Sequence, residues 1–206
     1  MLAFNSRTSA WLLPFSLMIA APAFAADYSV DPAHSNVKFT IKHNMISTLE
    51  GSFSQFDGTY SFEEKKAADA NVSFTIQAAS VVTGNEKRDA HLKTADFFDT
   101  AKFPTITFVS KSIKAAGKDK YKLAGDMTMH GVTKTVTFDV TYNGSVKDMM
   151  GADRTGFSAD GKINRKDFGI VWNKTLDKGN VMLSDDVTLL LQVEGVKKGA
   201  ADAAKK

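Results

Sequence analysis

An alternation of apolar and polar residues with a period of two recurs along most of this chain and constrains its fold more than any other feature. In residues 135–142, Val136, Phe138 and Val140 alternate with threonines and Asp139. Successive side chains of a β-strand point to opposite faces, so each such segment predicts a strand with one buried and one hydrated face. We predict about eight strands, which include residues 37–42, 60–62, 72–78, 105–108, 123–129, 135–142, 157–163 and 187–193.

Turns rich in Gly, Asn, Asp and Lys separate most of these strands. We place two of the turns at residues 114–120 and at Asn143-Gly144. Strands joined by short turns pair antiparallel, and eight of them with one apolar face each form either a sandwich or a closed barrel. Closure removes the exposed strand edges that promote aggregation. The interior of an eight-stranded barrel is just wide enough to be filled by side chains or to hold one small ligand.

Two segments interrupt the strand pattern. Residues 83–98 are predicted to be helical, with Thr83 and Glu86 at the spacing of a capping box. Pro104 ends this segment before the next strand. Residues 164–172 are predicted to form a charged turn or a short helix. We therefore expect an all-β fold in which one short helical segment caps an end of the strand structure.

Residues 1–25 have the three parts of a secretory signal peptide. Arg7 supplies the positive charge, residues 11–22 form an apolar stretch, and Ala23-Phe24-Ala25 provides the cleavage site. The apolar stretch is shorter than the roughly 20 residues that a membrane-spanning helix needs. We predict a cleaved leader and export to the periplasm, and we leave secretion beyond the periplasm open.

The rest of the chain is predicted to be one domain, residues 26–195, followed by a disordered tail, residues 196–206. The chain has no cysteine, which excludes a disulfide framework, thiol redox chemistry and cysteine-type zinc sites. It holds 26 basic and 23 acidic residues, and a net charge of only +3 argues against a nucleic-acid partner.

Recognisable enzyme motifs are absent from the sequence. It contains no nucleophile elbow, no phosphate-binding loop, no dinucleotide-binding glycine motif and no helical zinc-protease motif. The four histidines lack the close spacing that metal sites usually show. We therefore predict neither a catalytic residue nor a metal ligand.

The densest polar cluster consists of Arg88, Asp89 and His91 in the predicted helical segment. These side chains either pair with neighbours and fix the helix in place, or bind an anion, because a guanidinium can hold a phosphate through two hydrogen bonds. The 15 phenylalanines leave a similar choice between a packed core and the wall of an apolar pocket.

Several short motifs follow one another through residues 27–194. The most specific is Thr-Gly-Asn-Glu-Lys-Arg-Asp-Ala-His-Leu at residues 83–92, and Asp96-Phe97-Phe98 follows it. Others are Asp-Pro-Ala-His-Ser at 31–35, Gly-Asp-Met-Thr-Met-His-Gly-Val-Thr at 125–133 and Asn-Arg-Lys-Asp-Phe-Gly at 164–169. Together they resemble the YceI-like family of polyisoprenoid-binding proteins.

The resemblance implies an eight-stranded antiparallel lipocalin-like barrel that encloses a long isoprenoid chain, such as a polyprenyl phosphate or an isoprenoid quinone. It implies a non-catalytic lipid carrier or buffer in the periplasm, with the isoprenoid lipid as its ligand and no cofactor. Transient membrane contact and a homodimer stay open. So do two other functions: an accessory role in isoprenoid-quinone redox chemistry, with a partner supplying the redox centre, and a structural or interaction barrel without a ligand.

This ligand would need an apolar tunnel with a few polar groups at its mouth. Arg88, His91 and Arg165 are predicted to meet a polar head group, because they carry charge and lie near clusters of phenylalanine in the sequence. The residues predicted to line the tunnel are Phe39, Phe74, Phe97, Phe98, Phe108, Met127, Phe138, Phe157, Phe168 and Trp172.

Overall fold

The alternating segments fold as antiparallel strands in the computed structural model, which describes residues 28–198. Within that range there is one α-helix, α1 (Glu86–Leu92), and short 3₁₀ helices lie at Glu64–Asp69, Ala78–Ser80, Arg165–Phe168 and Asp177–Gly179. The strands are β1 (Tyr28–Val30), β2 (Asn36–His43), β3 (Ser47–Phe53), β4 (Phe56–Ser61), β5 (Asn71–Gln77), β6 (Val81–Val82), β7 (Thr105–Gly117), β8 (Lys120–Met129), β9 (Val132–Lys147), β10 (Asp153–Asn164) and β11 (Leu183–Lys197).

Six of these strands combine in pairs into three composite strands, each interrupted by an irregular segment. β1 and β2 form the first composite strand, and both pair with β11. β3 and β4 form the second, in which β3 pairs with β2 and β4 pairs with β1. β5 and β6 form the third, in which β5 pairs with β4 and β6 pairs with β3. With each composite counted as one strand, the sheet has eight strands, and each pairs with the next one in the sequence. The last strand, β11, pairs with the first composite strand and closes the barrel. The predicted eight-stranded antiparallel barrel is therefore confirmed, and its closure excludes the sandwich.

The positions of two turns in the barrel differ from the sequence prediction. The turn predicted at Asn143-Gly144 is wrong, because both residues lie inside β9. Gly144 pairs with Gly156 beside a bulge, and its φ of 110° is one that glycine tolerates. The hairpin turn follows at residues 148–152. Similarly, the turn predicted at 114–120 shrinks to Lys118 and Asp119, because β7 and β8 extend further than their alternation indicates.

The helical segment is shorter than predicted and is capped differently. α1 ends at Leu92, and a series of turns follows it. Its N-cap is Asn85, whose side-chain oxygen accepts a hydrogen bond from the Arg88 amide at 3.0 Å, so the capping box predicted for Thr83 and Glu86 is wrong. The Thr83 hydroxyl instead donates to the Asp89 carboxylate at 2.5 Å.

The two ends of the barrel differ in how they are closed. The helix end carries α1, the β2–β3 and β8–β9 turns and residues 165–182, while the terminal end carries Tyr28, Lys197 and the β9–β10 turn. Aromatic packing closes the terminal end: the ring of Phe62 lies 5.0–5.8 Å from three other rings, centroid to centroid. Those three rings belong to Tyr121, Tyr142 and Phe157.

Strand β11 continues past the predicted end of the domain. Val196 and Lys197 pair with Ser29 and Tyr28, so the predicted boundary at residue 195 falls two residues too early. Residues 199–206 of the predicted tail and the predicted leader at 1–25 lie outside the described residues. Between residues 28 and 198, none of the helices has the length and apolar character needed to cross a membrane.

Arg154 ties together the region where β1, β10 and β11 meet. Its guanidinium donates to the carboxylates of Asp31 at 2.8 Å, Glu194 at 2.6 Å and Asp148 at 2.7 Å. Asp31, His34 and Glu194 are near enough to one another to offer ligand atoms to a metal ion. Because Arg154 already uses both of these carboxylates, we interpret the cluster as a structural ion-pair network.

This network predicts an acid-dependent stability. Hydrogen bonds from His34 and Arg154 lower the pKa of Asp31 from 3.8 to about 2. A lowered carboxyl pKa stabilises the fold above the unfolded-state pKa, and the contribution is lost as the pH falls from about 4 to about 2. We expect Asp31→Asn to reduce the free energy of unfolding by about 1–2 kcal/mol at neutral pH, and by progressively less below about pH 4.

Urea unfolding of both proteins across this pH range measures the effect. Asp139→Asn is the control, because it removes an exposed ion pair with Lys122 on the outer face and should change stability little. A stability difference between Asp31→Asn and the parent protein that stays constant down to about pH 2 would contradict the prediction.

Candidate ligand cavity

The inward faces of the strands enclose an apolar cavity of about 550 Å³. All eight strands of the barrel contribute to its lining, most of which is aliphatic or aromatic. Small-molecule sites in proteins usually have volumes of about 300–1,000 Å³. The interior of this barrel is therefore not filled by its own side chains, and it has the size and character of a binding site for an apolar molecule.

Glycines on the inner face keep the cavity open beside large aromatic rings. A Cβ at Gly51 would lie 2.3 Å from Cζ of Phe39, its partner in the β2–β3 pairing, so the ring covers the backbone of the neighbouring strand. Lying against the wall in this way, the ring leaves the centre of the barrel free. Pairs of this kind are Phe39 with Gly51, Phe74 with Gly58, Phe108 with Gly125, Phe138 with Gly161, and Tyr60 with Gly195.

The structure places most of the predicted tunnel residues in the cavity lining. Phe168 is the exception: it ends a 3₁₀ helix, is only 1% exposed and packs outside the lining. Its carbonyl oxygen lies 3.1 Å from Nδ1 of His130. Ligand contact stays a prediction for the residues in the lining, which are Phe39, Phe74, Phe97, Phe98, Phe108, Met127, Phe138, Phe157 and Trp172.

The predicted tunnel residues do not include the aliphatic part of the wall or its tyrosines. Tyr60 lies toward the terminal end, where its hydroxyl is 2.5 Å from Oγ1 of Thr155 and burial raises its pKa to about 12. Strand alternation was the available signal for these residues, because all of them lie on inward positions. Examples are Val37, Ile41, Leu49, Leu123, Val187, Leu189 and Leu191.

The cavity opens between β3 and α1. Within residues 28–198, β3 pairs with β6 only at Ser52 and Phe53, so residues 47–51 have no strand on that side. Glu50 of β3 and Lys87 of α1 both line the cavity and are both exposed. Solvent-exposed residues therefore border the cavity at this place, which we call the mouth.

Two of the predicted head-group residues lie at the mouth but already have partners. Arg88 donates from Nε and Nη2 to the hydroxyl and carbonyl oxygens of Thr83, at 2.7 and 2.8 Å. His91 Nε2 lies 2.7 Å from the Asp96 carboxylate, and its ring contacts Trp172 edge-on. Both side chains therefore fix the helical cap, while both also line the cavity.

Arg165, the third predicted head-group residue, is 3% exposed and lines the same cavity. Its guanidinium donates to three backbone carbonyls: Nε to Ser184 at 3.0 Å, and Nη1 to Ile170 at 2.9 Å and Trp172 at 2.7 Å. Nη2 is 3.6 Å from an Asp185 oxygen and has no hydrogen-bond partner among the described residues. Burial lowers the pKa of Arg165.

Comparison with known proteins identifies the family. A family model described as the YceI-like domain matches residues 28–195. The chain belongs to the YceI-like family. The resemblance carried by the sequence motifs is therefore confirmed over the whole barrel.

Relatives and solved structures agree with this assignment. Protein YceI of Escherichia coli O157:H7 is 46% identical over 186 residues, which cover 89% of this chain and 94% of the relative. The crystal structure of BcnA from Burkholderia cenocepacia superposes with a TM-score of 0.71 at 29% identity, covering 80% of this chain and 98% of the other. A polyisoprenoid-binding domain from Saccharophagus degradans, implicated in plant cell wall breakdown, shares the fold with a TM-score of 0.60 at 14% identity, covering 84% and 99%.

The glycine–aromatic pairs predict how the cavity can be narrowed. We expect Gly51→Ala to push the Phe39 ring into the cavity, weakening the binding of a long apolar ligand at least several-fold and lowering stability by about 1–3 kcal/mol. Displacement of a fluorescent apolar probe measures the affinity. Gly156→Ala is the matched control, because a Cβ there would meet its nearest neighbour at 3.5 Å. Equal affinities of the two variants would show that the rings do not set the size of the cavity.

Proposed function

We propose that this protein binds a long isoprenoid lipid, such as an isoprenoid quinone or a polyprenyl phosphate, and carries or buffers it in the periplasm. The observation that supports the proposal most directly is the apolar cavity of about 550 Å³ inside a closed barrel. The polyisoprenoid-binding domain that shares the fold supports the ligand class. The leader-like residues 1–25 support the compartment.

The energetics of the cavity favour an apolar occupant. Each buried CH₂ group of a ligand contributes about 0.8 kcal/mol, so a long chain binds tightly without many polar contacts. Water in contact with an apolar wall of this extent is unfavourable, and an apolar occupant of the cavity removes that contact. A barrel that served only as a structural module would be more stable with a filled core.

We propose binding without catalysis. The polar side chains at the mouth already serve structural contacts, since Arg88 bonds Thr83 and His91 bonds Asp96. An accessory role in quinone redox chemistry would use the same cavity, with the redox centre on a partner.

The β2–β3 turn supports transient contact with a membrane. Met45 and Ile46 are exposed at its tip, and Met45 has a φ of 61°, which non-glycine residues rarely adopt. The neighbouring residues His43 and Leu49 line the cavity, so the tip adjoins the mouth. Insertion of this tip into a bilayer would bring the mouth to the lipid surface.

Purification of the exported protein tests the ligand. We expect its intact mass under native conditions to exceed the mass of the polypeptide by one isoprenoid lipid, and organic solvent to release that lipid for identification. Recovery of the protein with no lipid, together with failure to bind any added prenyl lipid, would contradict the proposal. Chemical conversion of the extracted lipid by the protein would point to an enzyme instead.

Membrane contact predicts an effect on transfer rather than on affinity. We expect Ile46→Glu to slow transfer of a prenyl quinone between phosphatidylethanolamine–phosphatidylglycerol vesicles by about tenfold, because burial of an isoleucine contributes roughly 1.5–3 kcal/mol. The dissociation constant should not change. Met149→Glu is the control, because Met149 is also an exposed apolar residue: Ile46 is 87% exposed and Met149 is fully exposed. Met149 lies in the β9–β10 turn, at the terminal end of the barrel. Equal slowing by both variants would argue against docking through the helix end.

A further inference from the structure

Methionine is the only sulfur-containing side chain in this sequence, which has eight methionines and no cysteine. Between residues 28 and 198, the methionines differ widely in exposure. Met149 is fully exposed, Met150 is exposed and Met45 is 52% exposed, whereas Met127 and Met129 are each 6% exposed. A dissolved oxidant such as a peroxide therefore reaches the first three directly and is hindered from reaching the last two.

Met45 lies at the tip of the β2–β3 turn, which adjoins the mouth, and hydrogen bonds fix the backbone of this turn on both sides. The Asn44 amide donates to the Met182 carbonyl at 2.7 Å, and the Ile46 amide donates to the His43 carbonyl at 3.2 Å. Asn44 and Met45 have φ values of 50° and 61°, and two successive positive φ values are typical of a tight hairpin turn. A turn of defined geometry therefore presents the Met45 side chain to solvent.

We infer that Met45 is a reversible oxidation site, and that its sulfoxide weakens the contact of the β2–β3 turn with a membrane. The inference rests on the membrane contact in the proposed function and adds a regulation to it. Oxidation replaces a flexible apolar side chain by a polar one. An S=O group that enters the apolar part of a bilayer gives up its hydrogen bonds to water, which is unfavourable. Docking of the turn therefore becomes weaker, while the wall of the cavity stays the same.

The oxidation needs a peroxide, and its reversal needs a dithiol. The Met45 sulfur attacks one oxygen of hydrogen peroxide, and the S–O bond forms as the O–O bond breaks. The departing hydroxide takes the proton of the transferred oxygen and becomes water, so the sulfur loses two electrons and the peroxide gains them. A methionine sulfoxide reductase restores the thioether, with the oxygen leaving as water and a dithiol oxidised to a disulfide. Because this sequence has no cysteine, the dithiol belongs to the separate reductase.

The β9–β10 turn supplies a comparison within the same molecule. Met149 and Met150 are more exposed than Met45, but they lie at the terminal end of the barrel. The Asp148 carboxylate fixes this turn, since it accepts hydrogen bonds from the amides of Met150 and Ala152 at 2.9 Å each. Oxidation of the β9–β10 turn should therefore leave both the fold and the transfer of lipid unchanged.

Brief treatment of the exported protein with hydrogen peroxide tests the inference, and peptide mass spectrometry locates the sulfoxides. We expect Met45, Met149 and Met150 to be oxidised before Met127 and Met129. Transfer of a prenyl quinone between phosphatidylethanolamine–phosphatidylglycerol vesicles should slow about fivefold, because the apolar contribution of the Met45 side chain to docking is lost. The dissociation constant of the quinone should not change. Methionine sulfoxide reductase with dithiothreitol should restore the transfer rate.

Two variants assign the effect to one of the two turns. Met45→Leu should lose the response to peroxide, because leucine is apolar but has no sulfur, whereas the double variant Met149→Leu, Met150→Leu should keep it. An equal response in Met45→Leu overturns the inference. So does unchanged transfer by protein that carries the Met45 sulfoxide, or a Met45 that stays reduced while Met149 and Met150 react. If the untreated protein binds no quinone or transfers none, the proposed function itself fails, and the inference falls with it.

Discussion

Closure of the sheet is the constraint on which the rest of this structure depends. Once β11 pairs with the first strand, all inward side chains share one enclosed volume, and the outward side chains face solvent. The interior of an eight-stranded barrel can be filled by these side chains or can hold one small ligand. Here the inward glycines favour an open interior, because a ring such as Phe39 can lie over Gly51 instead of reaching the axis. The same residues thus supply a hydrophobic wall and leave room within it.

The helix end depends on a second set of interactions, which are local and polar. Thr83 accepts from Arg88 and donates to Asp89, so the first turn of α1 is tied to the chain that leads into it. On the other side of this end, Arg165 donates to the carbonyls of Ile170 and Trp172 in a loop that has little regular structure, and to the carbonyl of Ser184 in β11. Charged side chains therefore hold this end together, and the rings of Phe97 and Trp172 pack beside them. The terminal end combines the same two kinds of contact, since the Arg154 ion pairs lie there together with the rings around Phe62.

Strand alternation allowed most of the fold to be predicted, because a period of two is a local property and survives without knowledge of partners. The inward placement of Phe74 and Phe138 follows from it directly. The composite strands could not be predicted in this way, since β1 and β6 hold only three and two residues. In β3 the inward position 51 is a glycine, so the apolar alternation is interrupted there. Asn143-Gly144 has the sequence of a turn, yet its position within a long strand pair makes it a bulge.

In the candidate site, too, local sequence patterns predicted some residues, while others depend on segments that are distant in sequence. Strand parity located the wall of the cavity. Phe168 lies in a 3₁₀ helix, where a period of two does not apply, and it packs outside the lining. The charge of Arg165 marked it as a head-group residue, but charge alone could not separate it from Arg88. Burial separates them in the structure, since Arg165 is 3% exposed and donates to the backbone carbonyls of Ser184, Ile170 and Trp172, whereas Arg88 is partly exposed and donates to Thr83. Burial of this kind depends on which segments the folded chain brings together, and no local sequence pattern carries that information.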